Sequence, residues 1–266
     1  MDTTPAHSPT PARPAPQWHG AASASAGLLA FSGRIGGAAP HAHAAVQVLL
    51  LASGGVTLVD PAGHAQEARS AIIPAGVPHE LRASVDAGGL VAYLDPAGPA
   101  GRAADALLRA TGLDPATARA WRAAAQALPG VRTVDELVGV LHTPPAPLGT
   151  LPEPLRQALA LAPRLIDGPL LLGELAGRVG LSASRLGHLF AEHLRLPYPA
   201  WRRWARLLHA LESVQSGASL TTAAHAAGFT DSAHLTRACR AMFGIPPSEA
   251  LAATGLPPTR PAPAAR

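Results

Sequence analysis

Gly228-Phe229-Thr230-Asp231-Ser232-Ala233-His234-Leu235-Thr236-Arg237-Ala238-Cys239-Arg240-Ala241-Met242-Phe243-Gly244 is the stretch that decides how this chain is read. A glycine free to take positive φ is followed by an apolar residue, and then by Asp231, whose carboxylate suits a helix N-cap. From there Leu235, Cys239, Met242 and Phe243 fall on one helical face. Just upstream, Ala224-His225-Ala226-Ala227 supplies a first helix with small residues. The same design occurs about 48 residues earlier, where Ala176-Gly177-Arg178-Val179-Gly180-Leu181-Ser182 runs on through Leu186, Phe190 and Pro197. The later copy continues through Leu235, Cys239 and Pro246, with one extra residue in its turn. Small residues at a crossing let two helices pack steeply, as a helix-turn-helix requires. A glycine turn with a capped second helix would also suit any helical hairpin, but two copies in tandem favour the former. Between them, Pro199 to Ser216 predicts a helix. At about 1.5 Å per residue it spans about 27 Å, which suits two recognition helices that must lie roughly 34 Å apart to read one face of B-DNA.

With these residues in hand, the segment from Pro169 to Leu251 resembles the DNA-binding domain of the AraC/XylS family of transcription regulators. The resemblance rests on Leu175-Ala176, Gly180-Leu181-Ser182, Leu186, Leu189-Phe190, Gly228-Phe229, Asp231-Ser232, His234-Leu235, Arg237-Ala238 and Phe243-Gly244, closing at Pro247-Ser248. It covers about a third of the chain. Four positions depart from the family pattern: Arg195 stands where a Gly is usual, Cys239 where Phe is usual, Trp201 replaces a Tyr, and Trp204 is uncommon. The loss of a Phe at Cys239 is expected to loosen the second core, with Trp201 or Trp204 as the compensation. A buried core thiol is the expected role of Cys239, with a redox sensor as the alternative.

Helical periodicity turns Leu186, Leu189 and Phe190 inward and leaves Ser184, Arg185, Gly187 and His188 outward. In the second unit Ser232, Ala233, His234, Thr236, Arg237 and Arg240 are left to face DNA. Family contact positions map onto Ser184, Gly187, His188, Ser232, Ala233, His234 and Arg237. Arg237 is the expected base reader, because bidentate Arg to guanine is the commonest specific contact; the competing reading has Arg237 and Arg240 touch only phosphate. Gly187 and Ala233 offer no side-chain hydrogen bond, so the first unit is expected to lean on shape. Arg202, Arg203 and Arg206 on the connecting helix read as phosphate contacts or a solvated face.

Working outward, the chain has 266 residues, enough for two cores. The fold class expected is α+β: an N-terminal cupin-like β-barrel with helices behind it, then an all-α domain with two helix-turn-helix units. The boundaries expected are a disordered tail at 1–18, a sensor domain at 19–142, a linker at 143–151, the DNA-binding domain at 152–254 and a disordered tail at 255–266. Val46–Leu51 and Val56–Val59, separated by Ser53-Gly54-Gly55, predict a hairpin. Strands are also predicted at Ala71–Ile73, Glu80–Val85 and Leu90–Leu94, the last two across a turn at Asp86, Gly88 and Gly89. Helices are predicted at Arg102–Ala110, Pro115–Leu128 and Thr133–Leu141, the second opened by Asp114-Pro115.

All 21 basic residues are Arg, against 17 acidic ones, so the net charge of +4 permits nucleic-acid binding without requiring it. One cysteine excludes an internal disulfide and fits a reducing compartment. With no signal-like h-region and no long apolar run, a cytoplasmic protein with no membrane partner is expected.

The strand region carries a second pattern. His41-Ala42-His43, then Gln47 and Gly54, is similar to the first cupin motif, and Pro74-Ala75-Gly76-Val77-Pro78-His79 to the second. Alternating histidines on a strand share a face, so His41 and His43 are placed to converge with His79 inside a barrel. Three imidazoles suit Zn, Fe, Ni or Cu, although Gln47 stands where metal-binding cupins have Glu and Ala83 where an Asn is expected. Two occupants are open for His41, His43, Gln47 and His79: a small-molecule effector, favoured here, or a divalent metal. The resemblance implies a bacterial regulator, not an enzyme, with double-stranded DNA as partner. It also implies a homodimer formed through the Ala-rich helices and, for an activator, contact with RNA polymerase. The alternatives are a metal-dependent cupin enzyme with a helical appendage, and a protein-interaction module that binds no DNA.

Overall fold

The computed structural model describes residues 18–25, 27–142, 150–169 and 171–244. Both expected tails fall mainly outside these residues, as does most of the expected linker, 143–149, and the closing Pro247-Ser248.

Among the described residues, the N-terminal half is built from nine strands in two antiparallel sheets. One sheet runs β1 (His19–Ser25), β2 (Leu28–Arg34), β9 (Gly88–Leu94), β4 (Val46–Ser53), β7 (Ser70–Ile73). The other runs β3 (Ala38–His41), β8 (His79–Ala83), β5 (Val56–Val59), β6 (Ala65–Ala68). The hairpin expected at Ser53-Gly54-Gly55 does not form. β4 pairs with β7 and β9, whereas β5 pairs with β6 and β8. The glycine turn passes the chain from one sheet to the other, and the turn at 84–87 does the same between β8 and β9. Both are corners of a two-layer structure whose inner faces meet. The core there is aliphatic: Leu49, Leu58, Ile72, Ile73, Leu90 and Val91 are all fully buried.

Three helices cover the β domain: α1 (Pro99–Ala110), α2 (Ala118–Ala125) and α3 (Val134–His142). The cap of α2 is Thr117, which accepts from the Ala120 amide, and not Asp114. Asp114 instead folds the preceding turn, accepting from the Ala116 amide at 2.9 Å. At α3, Thr133 accepts from the Glu136 amide and Glu136 accepts from the Thr133 amide, a reciprocal capping box. The alanines of α2 let it lie close on β7, with Trp121 fully buried beneath it. α3 is the outermost of the three and leaves Val140 exposed.

The C-terminal half is helical: α4 (Glu153–Leu161) with a following 3-10 turn, α5 (Leu172–Arg178), α6 (Ala183–Leu194), α7 (Tyr198–Gln215), α8 (Leu220–Ala226) and α9 (Ser232–Phe243). α5–α6 and α8–α9 are the two copies of the repeat. In each, the residue after the turn glycine bonds back to the first helix's alanine carbonyl: Leu181 to Ala176 and Phe229 to Ala224, both at 2.9 Å. Gly180 and Gly228 have the same φ of 70°. Ser182 caps α6 and Asp231 caps α9, so the extra residue of the second turn is absorbed before the cap.

The two units differ in what they pack against. The first has a core of its own, in which Leu175, Ala176, Leu186, Phe190, Tyr198 and Trp201 meet α4. The second has no separate core: Trp204, Leu207, Leu235, Cys239, Met242 and Phe243 are continuous with the interior of the β domain. Trp204, facing Phe243 at 6.5 Å between ring centroids, is therefore the tryptophan that fills space near Cys239. Trp201 belongs to the first unit. A cavity of about 10 Å³ remains beside Cys239.

Candidate functional site

On α6, Leu186, Leu189, Phe190 and Leu194 are buried, while Ser184, Arg185 and His188 are exposed. Gly187 is only half-exposed, because a Cβ there would already stand 3.4 Å from Leu172 Cδ2 of α5. Its smallness serves the helix crossing as well as the outer face. On α9, Ala233, Arg237 and Arg240 are exposed, whereas Ser232, His234 and Thr236 are half-buried. The Thr236 hydroxyl donates to the Ser232 carbonyl at 2.8 Å, so it is committed to its own helix. His234 packs edge-on against Phe229 and bonds Thr230 Oγ1 through Nδ1 at 3.2 Å. The His234 amide on the Asp231 carboxylate holds that carboxyl below the usual range, with Arg237 adding to the effect. The outer face of α9 thus offers two extended cations, Arg237 and Arg240, one turn apart. The outer face of α6 offers Arg185, His188 and Ser184.

The arginines of α7, expected as phosphate contacts or a solvated face, divide into two kinds. Arg206 donates to the Gly168 carbonyl at 2.6 Å and Arg202 to the Pro169 carbonyl at 3.1 Å, tying α7 to the chain before α5. Desolvation lowers the Arg206 pKa. Arg203 alone of the three is exposed.

The second cluster lies inside the β domain. His41 on β3 stands directly across from His79 on β8, with ring centroids 4.3 Å apart. His43 was expected on the same strand as His41, but β3 ends at His41. His43 reaches the interior from the following loop, pinned there by its carbonyl accepting from the Gly76 amide. Gln47 on β4 completes the group, and all four side chains are buried. Potential ligand atoms of the three histidines lie within 4.8 Å of one another, the one such grouping found among the described residues. Tyr93, 5.2 Å from His43, and Trp121, 6.0 Å from His79, wall the cluster. Neither aromatic sits in a sequence motif; strand register brings Tyr93 opposite Gln47.

The protonation of this cluster can be deduced. The Nδ1 atoms face backbone carbonyls: His41 at Ala39 (2.7 Å), His43 at Ala45 (2.7 Å) and His79 at Val77 (3.0 Å). A carbonyl can only accept, so each Nδ1 carries the proton. Burial lowers all three pKa values, to about 4 for His43 and about 2 for His79, leaving the rings neutral near pH 7. Each Nε2 is then a bare lone pair directed inward. Gln47 Oε1, another acceptor, stands 2.8 Å from His43 Nε2 and 3.0 Å from His79 Nε2, and His41 Nε2 has no partner at all. A buried, unpartnered His41 Nε2 beside two further inward Nε2 atoms fits a cation, and backbone carbonyls holding the far nitrogens are the usual outer support of histidine ligands. The residues present therefore suit a divalent transition metal bound by His41, His43 and His79, with the Gln47 amide oxygen beside them.

A cleft of about 390 Å³ also opens between the β domain and the first unit, lined by Arg102, Arg109, Glu192 and Arg195 among others. Its charge is partly neutralised internally, since Arg109 is paired with Asp105.

Among proteins of known family, residues 175–253 match the family described as "Helix-turn-helix domain". The HTH-type transcriptional regulator GbdR of Pseudomonas aeruginosa is 31% identical over 103 residues, covering 38% of this chain and 28% of GbdR. The chain thus matches little more than a quarter of that relative's length. Over most of the chain the fold is that of ToxT from Vibrio cholerae O395, with a TM-score of 0.54, 10% identity, and coverage of 86% of this chain and 99% of ToxT. ToxT of strain SCE256 with an unsaturated fatty acid bound is similar at a TM-score of 0.50 and 10% identity, over 86% of this chain and 96% of that one. The part of this chain that matches the helix-turn-helix family, residues 175–253, thus stands behind an N-terminal β domain, in a fold similar to that of ToxT.

Proposed function

We propose that this chain is a sequence-specific DNA-binding transcription regulator whose N-terminal β domain holds the effector that controls it. The observation that carries the reading is the pair of capped helix-turn-helix units joined by α7, each turning a polar, cationic face outward. Phosphate contacts from Arg185, Arg203 and Arg240 position the protein, and Arg237 reads a base. The histidine cluster gathers four of the five buried polar side chains of the described residues, the other being Asp60, and belongs to the sensing half. A cytoplasmic setting, a homodimer using the outer face of α3, and contact with RNA polymerase complete the proposal.

The test is selection of binding sites from a random-sequence duplex library, followed by affinity measurements over a salt series. Enrichment of a site with two sub-motifs about one helical turn apart, weakened by added salt, is the expected result. Absence of any enriched sequence from low to moderate salt, with metal and without, would refute the reading.

A further inference from the structure

We infer that the controlling ligand is a divalent transition-metal ion held by His41, His43 and His79, and that its binding alters DNA affinity through direct contacts onto the C-terminal end of α9. The inference rests on the regulator reading for its DNA-binding half and stands apart from it for its metal-binding half.

Two physical paths leave the cluster, and both end at the same place. The first is aromatic. The His43 ring stands edge-on to Tyr93, and Tyr93 stands edge-on to Phe243, the last residue of α9, with ring centroids 4.9 Å apart. The second runs through the backbone. The Ala39 carbonyl that accepts from His41 Nδ1 lies against Gly244, the C-cap of α9. A Cβ on Gly244 would come within 3.0 Å of that carbonyl oxygen and 3.1 Å of the Ala38 Cβ, so glycine is what permits the approach. Both side-chain ends of the path are neutral and close-packed, and a packed interior transmits displacement instead of absorbing it.

Loading also constrains the cluster. Donors around a four-coordinate ion at ~2.1 Å sit ~3.4 Å apart, and the histidine ligand atoms already lie within 4.8 Å of one another. An ion fixes the three rings at that spacing, and with them the seat of His43 against Tyr93 and of His41 against Ala39. The first unit reaches the cluster's support at one remove, where Leu196, after α6, lies beside Gly76, whose amide donates to the His43 carbonyl. The contacts onto α9 are made by Tyr93 and by the Ala39 carbonyl, which meet the His43 and His41 rings themselves. Metal therefore acts on the second reading head, and a bipartite DNA site is sensitive to where that head stands.

The experiment uses the full chain, stripped with a chelator and titrated with Co²⁺ and with Zn²⁺. The expected result is one ion per chain, visible as Co²⁺ ligand-field absorption, lost in His79→Ala and tightened at least about tenfold in Gln47→Glu, where a carboxylate replaces a neutral amide. Metal should change affinity for the selected DNA site by at least about fivefold in the wild type and not in His79→Ala. In Tyr93→Leu, metal should still bind while the DNA response shrinks. Hydrogen exchange of residues 238–243 with and without metal reads the coupling independently of DNA, and protection there should change on loading. If wild type and His79→Ala take up metal alike, the site is wrong. If metal binds at the histidines but neither DNA affinity nor exchange in α9 responds, the coupling is wrong. If exchange responds yet no DNA sequence is ever selected, the regulator reading fails and the metal link stands.

Discussion

Gly180 and Gly228 occupy the same place in the two repeats with the same φ, yet they are not equally replaceable. Nothing lies within 4 Å of a Cβ built on Gly180, whereas one on Gly228 would meet the Ile166 carbonyl oxygen at 2.7 Å and the Arg206 guanidinium at 2.9 Å. Gly180→Ala is expected to cost about 1–2 kcal/mol, the penalty of left-handed backbone alone. Gly228→Ala should cost roughly 3 kcal/mol or more, because a backbone carbonyl cannot step aside; chemical denaturation of both variants measures the gap. Arg195 presents the reverse case, a side chain at φ 54° at the C-cap of α6 where glycine would sit without strain. Arg195→Gly should stabilise the first unit by about 0.5–1 kcal/mol once the looser unfolded chain is counted. Cys239 is 1% exposed and burial pushes its thiol up to about 12, which excludes the reactive thiolate that a redox sensor needs. In the unfolded chain that thiol ionises near pH ~8.5. Above that value the unfolded state binds fewer protons, so Cys239 makes the fold lose stability as pH rises toward 12. Alkylation by iodoacetamide at pH 8 should be slow in the native protein and fast in denaturant.

Among the elements, α9 carries most of the proposed DNA contacts. Arg237→Ala is expected to cost about 1–3 kcal/mol of specific binding and to relax the preference at one base pair. Arg240→Ala should weaken all sequences alike and reduce the salt slope by about 1. Equal, sequence-independent losses for both would make Arg237 a phosphate contact instead. The helical elements were legible in the sequence because a repeat is two readings of one pattern. Ser182, Asp231 and the turn glycines fixed the ends of α6 and α9, and apolar periodicity gave their inner faces. The strands were harder. β1 and β6 are made of small or polar residues with no alternation to mark them, and the turns after β4 and β8 resemble hairpin turns although they change sheets. Local chemistry specifies that a chain turns; which strand it then pairs with depends on partners far away. His41, His43, Gln47 and His79 were recognisable by motif, but Tyr93 and Trp121 were not. Those two reach the cluster only through sheet register and the docking of α2. The carbonyl partners of Arg202 and Arg206, at 168–169, were not legible for a similar reason, since they lie more than 30 residues away.

At the scale of the molecule, the boundary between folded units does not follow the boundary between sequence repeats. The core of the β domain continues into the second helix-turn-helix, and the first unit stands on a core of its own. The four tryptophans report on this division: Trp18, Trp121 and Trp204 in the large core, Trp201 in the small one. Unfolding should therefore proceed in two steps, with α8 and α9 exchanging amide protons together with β4 and β9, and α5 and α6 exchanging separately. A single transition common to all these elements, followed by hydrogen exchange, would contradict it.

The same continuity bears on how such a chain can be recombined. Exchanging the whole helical half for that of another regulator would strip Tyr93 of Phe243 and leave Ala38 and Ala39 facing a foreign surface. The more separable piece is the first unit, from α4 to the start of α7, whose core is distinct except where Leu196 joins the large one and Ala97 packs against it. On the proposed reading, a new DNA half-site is reached by swapping or drifting in α6, while α9 stays bound to the history of the β domain beneath it.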